Sequence, residues 1–328
     1  SPSPEANRLE AAAIANELGS LYWMRSRIGV NDEAIQADLT RALQAYQTAL
    51  SPLNPQQHRE AWSSIHNNLG GIYSDLARTA DAIDTSIEQL QVSARAFEEA
   101  LRYQDAAAEP EQYASTQNNL GTAYWHLAQH QDPVQASQQA IAAYDRALDY
   151  YTCDRDPLSY ATIQNNLGTA YWHLSQHERP AEHLPAAIAA YRQALIYRTP
   201  DTQPAGCAAT QNNLGTACWH WAQLQTEPQP YVELMQQAIE AYTLAGNLAG
   251  ELAQSANGSA PPFDRLTTQN NLGLIHYQLA THVYFPGNAA DRQQHLEAAL
   301  ELHLHAIAGW QDSPDLVRVA LEALVQVV

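Results

Sequence analysis

The chain has 328 residues, 45% of them apolar and 16% charged, enough to bury a large core and too apolar for a disordered tail. Its 35 acidic against 16 basic residues leave a formal charge of −19, and every basic residue is arginine. Such a surface repels phosphate backbones and anionic lipid, which excludes nucleic-acid binding as the main role.

Cys153, Cys207 and Cys218 make an odd count without a Cys-x-x-Cys pair, so neither a disulfide framework nor a zinc ribbon is expected. No run approaches the roughly 18 consecutive apolar residues of a membrane span. The opening Ser1-Pro2-Ser3-Pro4-Glu5 lacks the basic and apolar regions of a signal peptide, and a cytoplasmic location is the expectation.

A fixed period organises the chain. Asn67-Asn68-Leu69-Gly70 recurs as Asn118-Asn119-Leu120-Gly121, Asn165-Asn166-Leu167-Gly168, Asn212-Asn213-Leu214-Gly215 and Asn270-Asn271-Leu272-Gly273, with a weaker first copy in Asn16-Glu17-Leu18-Gly19. A second block follows each. It reads Ala42-x3-Tyr46-x2-Ala49, Ser93-x3-Phe97-x2-Ala100, Ala140-x3-Tyr144-x2-Ala147, Ala187-x3-Tyr191-x2-Ala194, Ala238-x3-Tyr242-x2-Ala245 and a degraded Ala299-x3-His303-x2-Ala306. Both blocks have helical spacing.

In chain order the pairs of helices are expected at 4–28 and 31–50, 55–79 and 81–104, 111–130 and 134–152, 157–177 and 183–198, 205–225 and 230–252, and 262–282 and 291–310. Prolines 52, 55, 110, 157, 204, 261 and 262 fall between pairs, where they end or start a helix without breaking one. Ser255–Pro262 is the one loop of linker composition. Residues 315–327 read as a thirteenth helix, apolar on most of its circumference. A solenoid cap normally turns a polar side to water, so this helix is expected to continue the array or to self-associate with another copy.

The two blocks resemble the tetratricopeptide repeat (TPR), whose first helix carries Leu-Gly-x-x-Tyr and whose second carries Ala-x3-aromatic-x2-Ala. The resemblance implies an all-α fold, an α-solenoid in one domain over 1–328 wound as a right-handed TPR superhelix. Its six repeats would cover 4–50, 55–104, 111–152, 157–198, 205–252 and 262–310. The usual repeat has about 34 residues, whereas consecutive glycines here lie 51, 51, 47, 47 and 58 apart. From glycine to aromatic the counts are 27, 27, 23, 23, 27 and 30, so much of the variation is a step of four residues, close to one helical turn. This is similar to the long-repeat subclass of kinesin light chains and bacterial signalling proteins.

Number each first helix so that Leu-Gly are positions 7 and 8. The packed face then holds positions 4, 7, 8 and 11, and the opposite face positions 2, 5, 6, 9, 12, 13 and 16. In a TPR superhelix that opposite face is the concave groove. In repeat three it carries Ser115, Asn118, Asn119, Thr122, Trp125, His126 and Gln129. Repeat four has Thr162, Asn165, Asn166, Thr169, Trp172, His173 and Gln176, and repeat five Ala209, Asn212, Asn213, Thr216, Trp219, His220 and Gln223.

A carboxamide offers both a donor and an acceptor, so a row of them suits the backbone of an extended peptide. By resemblance to kinesin light chains, Asn68, Asn119, Asn166, Asn213 and Asn271 are the candidate peptide-gripping residues. Asn118, Asn165 and Asn212 stand behind them, with Thr122, Thr169 and Thr216 alongside, and Trp125, Trp172, Trp219, His126, His173 and His220 shaping pockets or stacking on a ligand arginine. Two alternatives stay open. Position 12 lies about 90° from the centre of the packed face, so each Trp can wedge between neighbouring first helices; one Asn of each pair can tie neighbouring repeats together.

A lysine-based carboxylate clamp, as in chaperone-binding TPRs, does not carry over, because lysine is absent and Glu17 and Asp75 hold groove positions. The expected partner is therefore a protein segment that is neutral, aromatic or arginine-bearing. The histidine pairs 126/130 and 173/177 have i,i+4 spacing but no third ligand, and they read as surface or inter-repeat side chains; neither a metal nor a cofactor is expected. No nucleophile elbow or phosphate loop occurs, Cys218 reads as a core thiol, and Glu98-Glu99 as solvated charge, so an enzyme is not expected. The functional expectation is a non-enzymatic adaptor. The alternative is a sensor that binds a small aromatic or cationic molecule between the Trp and His rows.

Overall fold

The structure is a computed structural model, and it describes residues 3–29, 31–254, 263–310 and 313–327. The expected linker over 255–262 lies outside the described residues. The helices run in chain order as α1 (Pro4–Ser26), α2 (Asp32–Leu50), α3 (Arg59–Arg78), α4 (Ile83–Tyr103), α5 (Pro110–Ala128), α6 (Pro133–Leu148) and α7 (Pro157–Ser175). They continue as α8 (Pro180–Leu195), α9 (Pro204–Ala222), α10 (Pro228–Gln254), α11 (Arg265–Thr281), α12 (Ala289–Gly309) and α13 (Pro314–Val327). Among the described residues there is no strand, and each odd-numbered helix from α1 to α11 packs on the helix that follows it. This is an all-α solenoid of helix pairs.

The expected boundaries shift by a few residues, for local reasons. Proline opens α5, α6, α8, α9 and α10, where its missing N–H would have no intrahelical partner in any case. Helix α8 thus starts at Pro180 rather than 183 and carries Pro185 inside it. In repeats three and four the link within the pair is four residues shorter. There the residue before the opening proline, Asp132 (φ 46°) or Arg179 (φ 41°), takes the left-handed conformation. One such residue turns the chain sharply enough to replace a helical turn of connection.

What joins each pair is the contact between the conserved-pattern glycine of the first helix and the aromatic ring of the second. A Cβ placed on Gly70 would lie 2.6 Å from the Phe97 ring, on Gly121 2.7 Å from Tyr144, and on Gly168 2.8 Å from Tyr191. The same approach is 2.9 Å at Gly19 and Tyr46, and 3.0 Å at Gly215 and Tyr242 and at Gly273 and His303. Alanines one turn to either side of the ring, such as Ala42 and Ala49, are fully buried and let the helices close.

The chain divides into two compact units, residues 1–156 and 157–328, meeting at a boundary between repeats. In the first, α2 joins α3 through Leu39, Leu43, Tyr46 and Leu50 against Ile65, Leu69 and Ile72. In the second, Ile188, Tyr191, Ala217, Cys218, Met235, Tyr242 and Ile275 belong to one cluster that links α8 through α11. Cys218 is a core thiol, and its burial pushes the thiol pKa up to about 12. Glu98 and Glu99 are not simply solvated. Glu98 accepts a hydrogen bond from Tyr124 Oη (2.5 Å) and Glu99 one from Trp62 Nε1 (3.2 Å), because α4 is flanked by both α3 and α5. Helix α13 packs on α12, with Val317 against the Ala306 and Trp310 cluster.

Candidate functional site

The two asparagines of each Asn-Asn-Leu-Gly block separate into different roles. The first one ties its repeat to the next. In the first unit Asn67 Oδ1 accepts from Thr116 Oγ1 (3.2 Å), which in turn accepts from Gln104 Nε2 (3.0 Å) at the end of α4. In the second unit Asn165 Oδ1 accepts from Thr210 Oγ1 (3.0 Å), and Arg198 Nη1 donates to the same hydroxyl (3.1 Å). Arg198 Nη2 donates to Thr162 Oγ1 (3.0 Å), so one guanidinium spans α7 and α9. Asn212 Oδ1 accepts from Thr268 Oγ1 (2.7 Å) in the same manner. Of the two open alternatives, the tie between repeats is the geometry that Asn165 and Asn212 adopt.

Where the next repeat lacks the hydroxyl, the bond is missing. Repeat two has Ile65 at the threonine position, and Asn16 Oδ1 is buried without a hydrogen-bond partner. An apolar contact stands there instead, with Leu53, twelve residues before Ile65 just as Gln104 precedes Thr116, packed on the Ile65 cluster. Asn118 Oδ1 is likewise buried and unpartnered.

The threonines expected in the groove are bound to their own helix pair. Thr122, Thr169 and Thr216 each donate to the carbonyl four residues back, and their hydroxyls lie 3.2, 3.2 and 2.6 Å from Tyr144, Tyr191 and Tyr242 Oη. Ser20 does the same for Tyr46 at 2.8 Å. Repeat two shows the pairing in negative: the ring is Phe97, without a hydroxyl, and the partner position is Gly71, filled by the edge of Trp23. Burial raises the pKa of Tyr144 and Tyr191 and takes Tyr242 up to about 12, so these phenols stay neutral hydrogen-bonding groups.

The indoles at position 12 also reach the next first helix, the wedge geometry. Trp23 Nε1 donates to Asp75 (2.8 Å), Trp172 Nε1 to His220 Nδ1 (3.1 Å) and Trp219 Nε1 to Gln278 Oε1 (2.8 Å). The Trp172 and His220 rings stack with centroids 5.8 Å apart. In each case the acceptor occupies position 13. Its residue types, Asp75, His126, His173, His220 and Gln278, all offer an acceptor, a signal legible in the sequence but not singled out there. Trp125 is half-buried with Nε1 unpartnered, and its ring lies against His126.

The second asparagines are less committed. Asn68 and Asn271 bond the hydroxyls of Tyr46 and Tyr242. Asn213 Nδ2 reaches Asn165 Oδ1 and Asn166 Oδ1 accepts from Asn165 Nδ2, both at 3.4 Å, beyond the usual range of an N–H···O bond. Among the described residues Asn119 makes no side-chain hydrogen bond, and all three are half-buried.

Two clefts lie on the α3 and α5 side of the first unit. One, of about 310 Å3, is lined by Glu60, Ser64, Asn67, Gln104, Glu111 and Tyr151 among others. The other, of about 360 Å3, is lined by Asp75, Arg78, Thr122, His126 and His130. Among the described residues neither Glu60 nor Glu111 forms an ion pair. No three His, Cys, Asp or Glu side chains of the described residues converge as metal ligands.

Burial lowers the pKa of His66, His220 and His303, and takes His276, beside His295, down to about 4. These histidines are neutral when folded and protonate near 6.5 when unfolded, so they stabilise the fold above that pH. The contribution is lost as pH falls from 6.5 toward 4. Urea unfolding in 0.5 M salt, which screens the repulsion of the net negative charge, is expected to lose up to about 1.4 kcal/mol per pH unit for each such histidine. A midpoint constant between pH 7.5 and 5 would contradict this.

No protein-family model and no curated relative matches the sequence. Among solved structures the chain is similar to BtubC (BKLC) from P. vanneervenii, at 19% identity over 80% of this chain and 96% of that one, with a TM-score of 0.45. MamA gives 17% identity over 75% and 96%, TM-score 0.43, and the S. pombe nuclear import adaptor Nro1 12% over 94% and 99%, TM-score 0.46. Those scores decide nothing by themselves; six glycine-to-ring contacts, in helix pairs stacked second helix on next first helix, make the fold that of a tetratricopeptide-repeat solenoid.

Proposed function

We propose that this chain is a non-enzymatic protein-interaction module that holds an extended segment of a partner along its first helices. The observation that carries the reading is the division of labour between the asparagines. The first of each pair is engaged in joining repeats, while Asn119, Asn166 and Asn213 keep half-buried carboxamides with at most long contacts. Helix stability asks for none of the three, since asparagine is a mediocre helix former. Asn68 and Asn271 sit in the same row with one bond each to a tyrosine. The cleft with Glu60 and Glu111 favours a segment that brings an arginine, whose guanidinium offers donors to both carboxylates.

The sensor alternative needs free indole and imidazole rows. Trp172, Trp219 and His220 are instead bonded to neighbouring helices, which favours the peptide reading. The test begins with selection of extended peptides from a random display library on the intact chain. An enriched peptide is expected to bind Asn166→Ala/Asn213→Ala more weakly by about 1 kcal/mol per lost bond in calorimetry, with the thermal midpoint of the variant unchanged. Equal binding by both proteins would remove the amides from the site.

A further inference from the structure

We infer that the outer face of α1 is a second docking surface, built to receive an amphipathic helix of a partner polypeptide. Ile14, Leu18 and Leu21 are 64, 43 and 60% exposed, and Met24, 66% exposed, extends the apolar stripe to about 15 Å of helix. These are not stray surface residues. Counted from the repeat glycine, Ile14, Leu18 and Leu21 stand at −5, −1 and +2. The same three positions are buried in later repeats, as Ile65, Leu69 and Ile72 on α3 and as Thr268, Leu272 and Ile275 on α11. In α3, α5, α9 and α11 the helix packs on the second helix of the preceding pair.

What covers this face elsewhere in the molecule states the chemistry of its occupant. On α3 the covering stripe is Leu39, Leu43, Tyr46 and Leu50 of α2, apolar residues at i, i+4, i+7 and i+11. An α1 stripe of the same positions, with bulkier residues than the Thr and Ala that several later repeats place there, accepts a helix of that pattern. The surface is separate from the asparagine row, because −5, −1 and +2 are not groove positions, so it can be occupied while the groove holds its peptide.

The probe is a fluorescein-labelled, N-acetylated and C-amidated peptide of the α2 sequence, Asp32–Leu50, titrated against the intact chain and read by anisotropy. Saturable binding is expected, weakened at least tenfold by Ile14→Glu/Leu21→Glu and unchanged by Ile83→Glu, an exposed isoleucine on α4. Far-UV circular dichroism of the double variant should match the parent, since both side chains are exposed. No binding, or binding that the double variant retains, overturns the proposal. So does sedimentation of the chain as a dimer that Ile14→Glu/Leu21→Glu converts to monomer, because the occupant is then a second copy.

Discussion

Gly168→Ala should destabilise the protein, although alanine is the better helix former. The added methyl would stand 2.8 Å from the Tyr191 ring, which is wholly buried and bonded through its hydroxyl to Thr169, so the ring has nowhere to swing. Overpacking of this kind costs about 1–3 kcal/mol, with up to about 1 kcal/mol returned by helix propensity. Gly70→Ala, with the Phe97 ring 2.6 Å away, is expected to lose at least as much. Gly246 supplies the control. It lies in α10 with nothing within 4 Å of a Cβ, and Gly246→Ala should gain about 0.5–1 kcal/mol. Urea unfolding of the three variants decides the matter; a stabilised Gly168→Ala would mean that the pair contact is loose and that the fold does not depend on it.

Thr210→Val is the second large effect. The hydroxyl of Thr210 is the meeting point of Asn165 Oδ1 and Arg198 Nη1, one accepting and the other donating. Valine keeps the shape and leaves two polar groups without that partner, at a cost of about 1–3 kcal/mol. Asn165→Ala should cost less in the Thr210→Val background than in the parent, with a coupling energy above about 0.5 kcal/mol. Asn166→Ala, one residue away, should stay within about 0.5 kcal/mol of the parent. Additive losses for Asn165 and Thr210 would show that the repeat interface is held by packing alone. The contrast between adjacent asparagines also separates residues that build the solenoid from those available to a ligand.

The repeat was legible because it is a matter of period and size. Glycine in one helix and an aromatic in the next, recurring six times, leave few ways to pack, and the structure places each glycine against its ring. Helix starts were legible wherever proline occupies the first turn. The left-handed Asp132 and Arg179 were not, because neither residue type announces that conformation; the four-residue contraction of their links was the trace.

The candidate site divides along the same line. Which residues recur on the face opposite the packed one follows from helical geometry and could be read from the letters. Whether a carboxamide, hydroxyl or indole on that face is available depends on what the next repeat brings within about 3 Å, and hydrogen bonds form across 22 to 59 residues of sequence. The sequence by itself therefore determined the repeat, the pairing of helices and the chemical inventory of the inner face. Only the tertiary structure decided that the first asparagines, the threonines, Trp172 and Trp219 bind within the stack while Asn119, Asn166 and Asn213 remain, because hydrogen-bond capacity is shared out between neighbours in space.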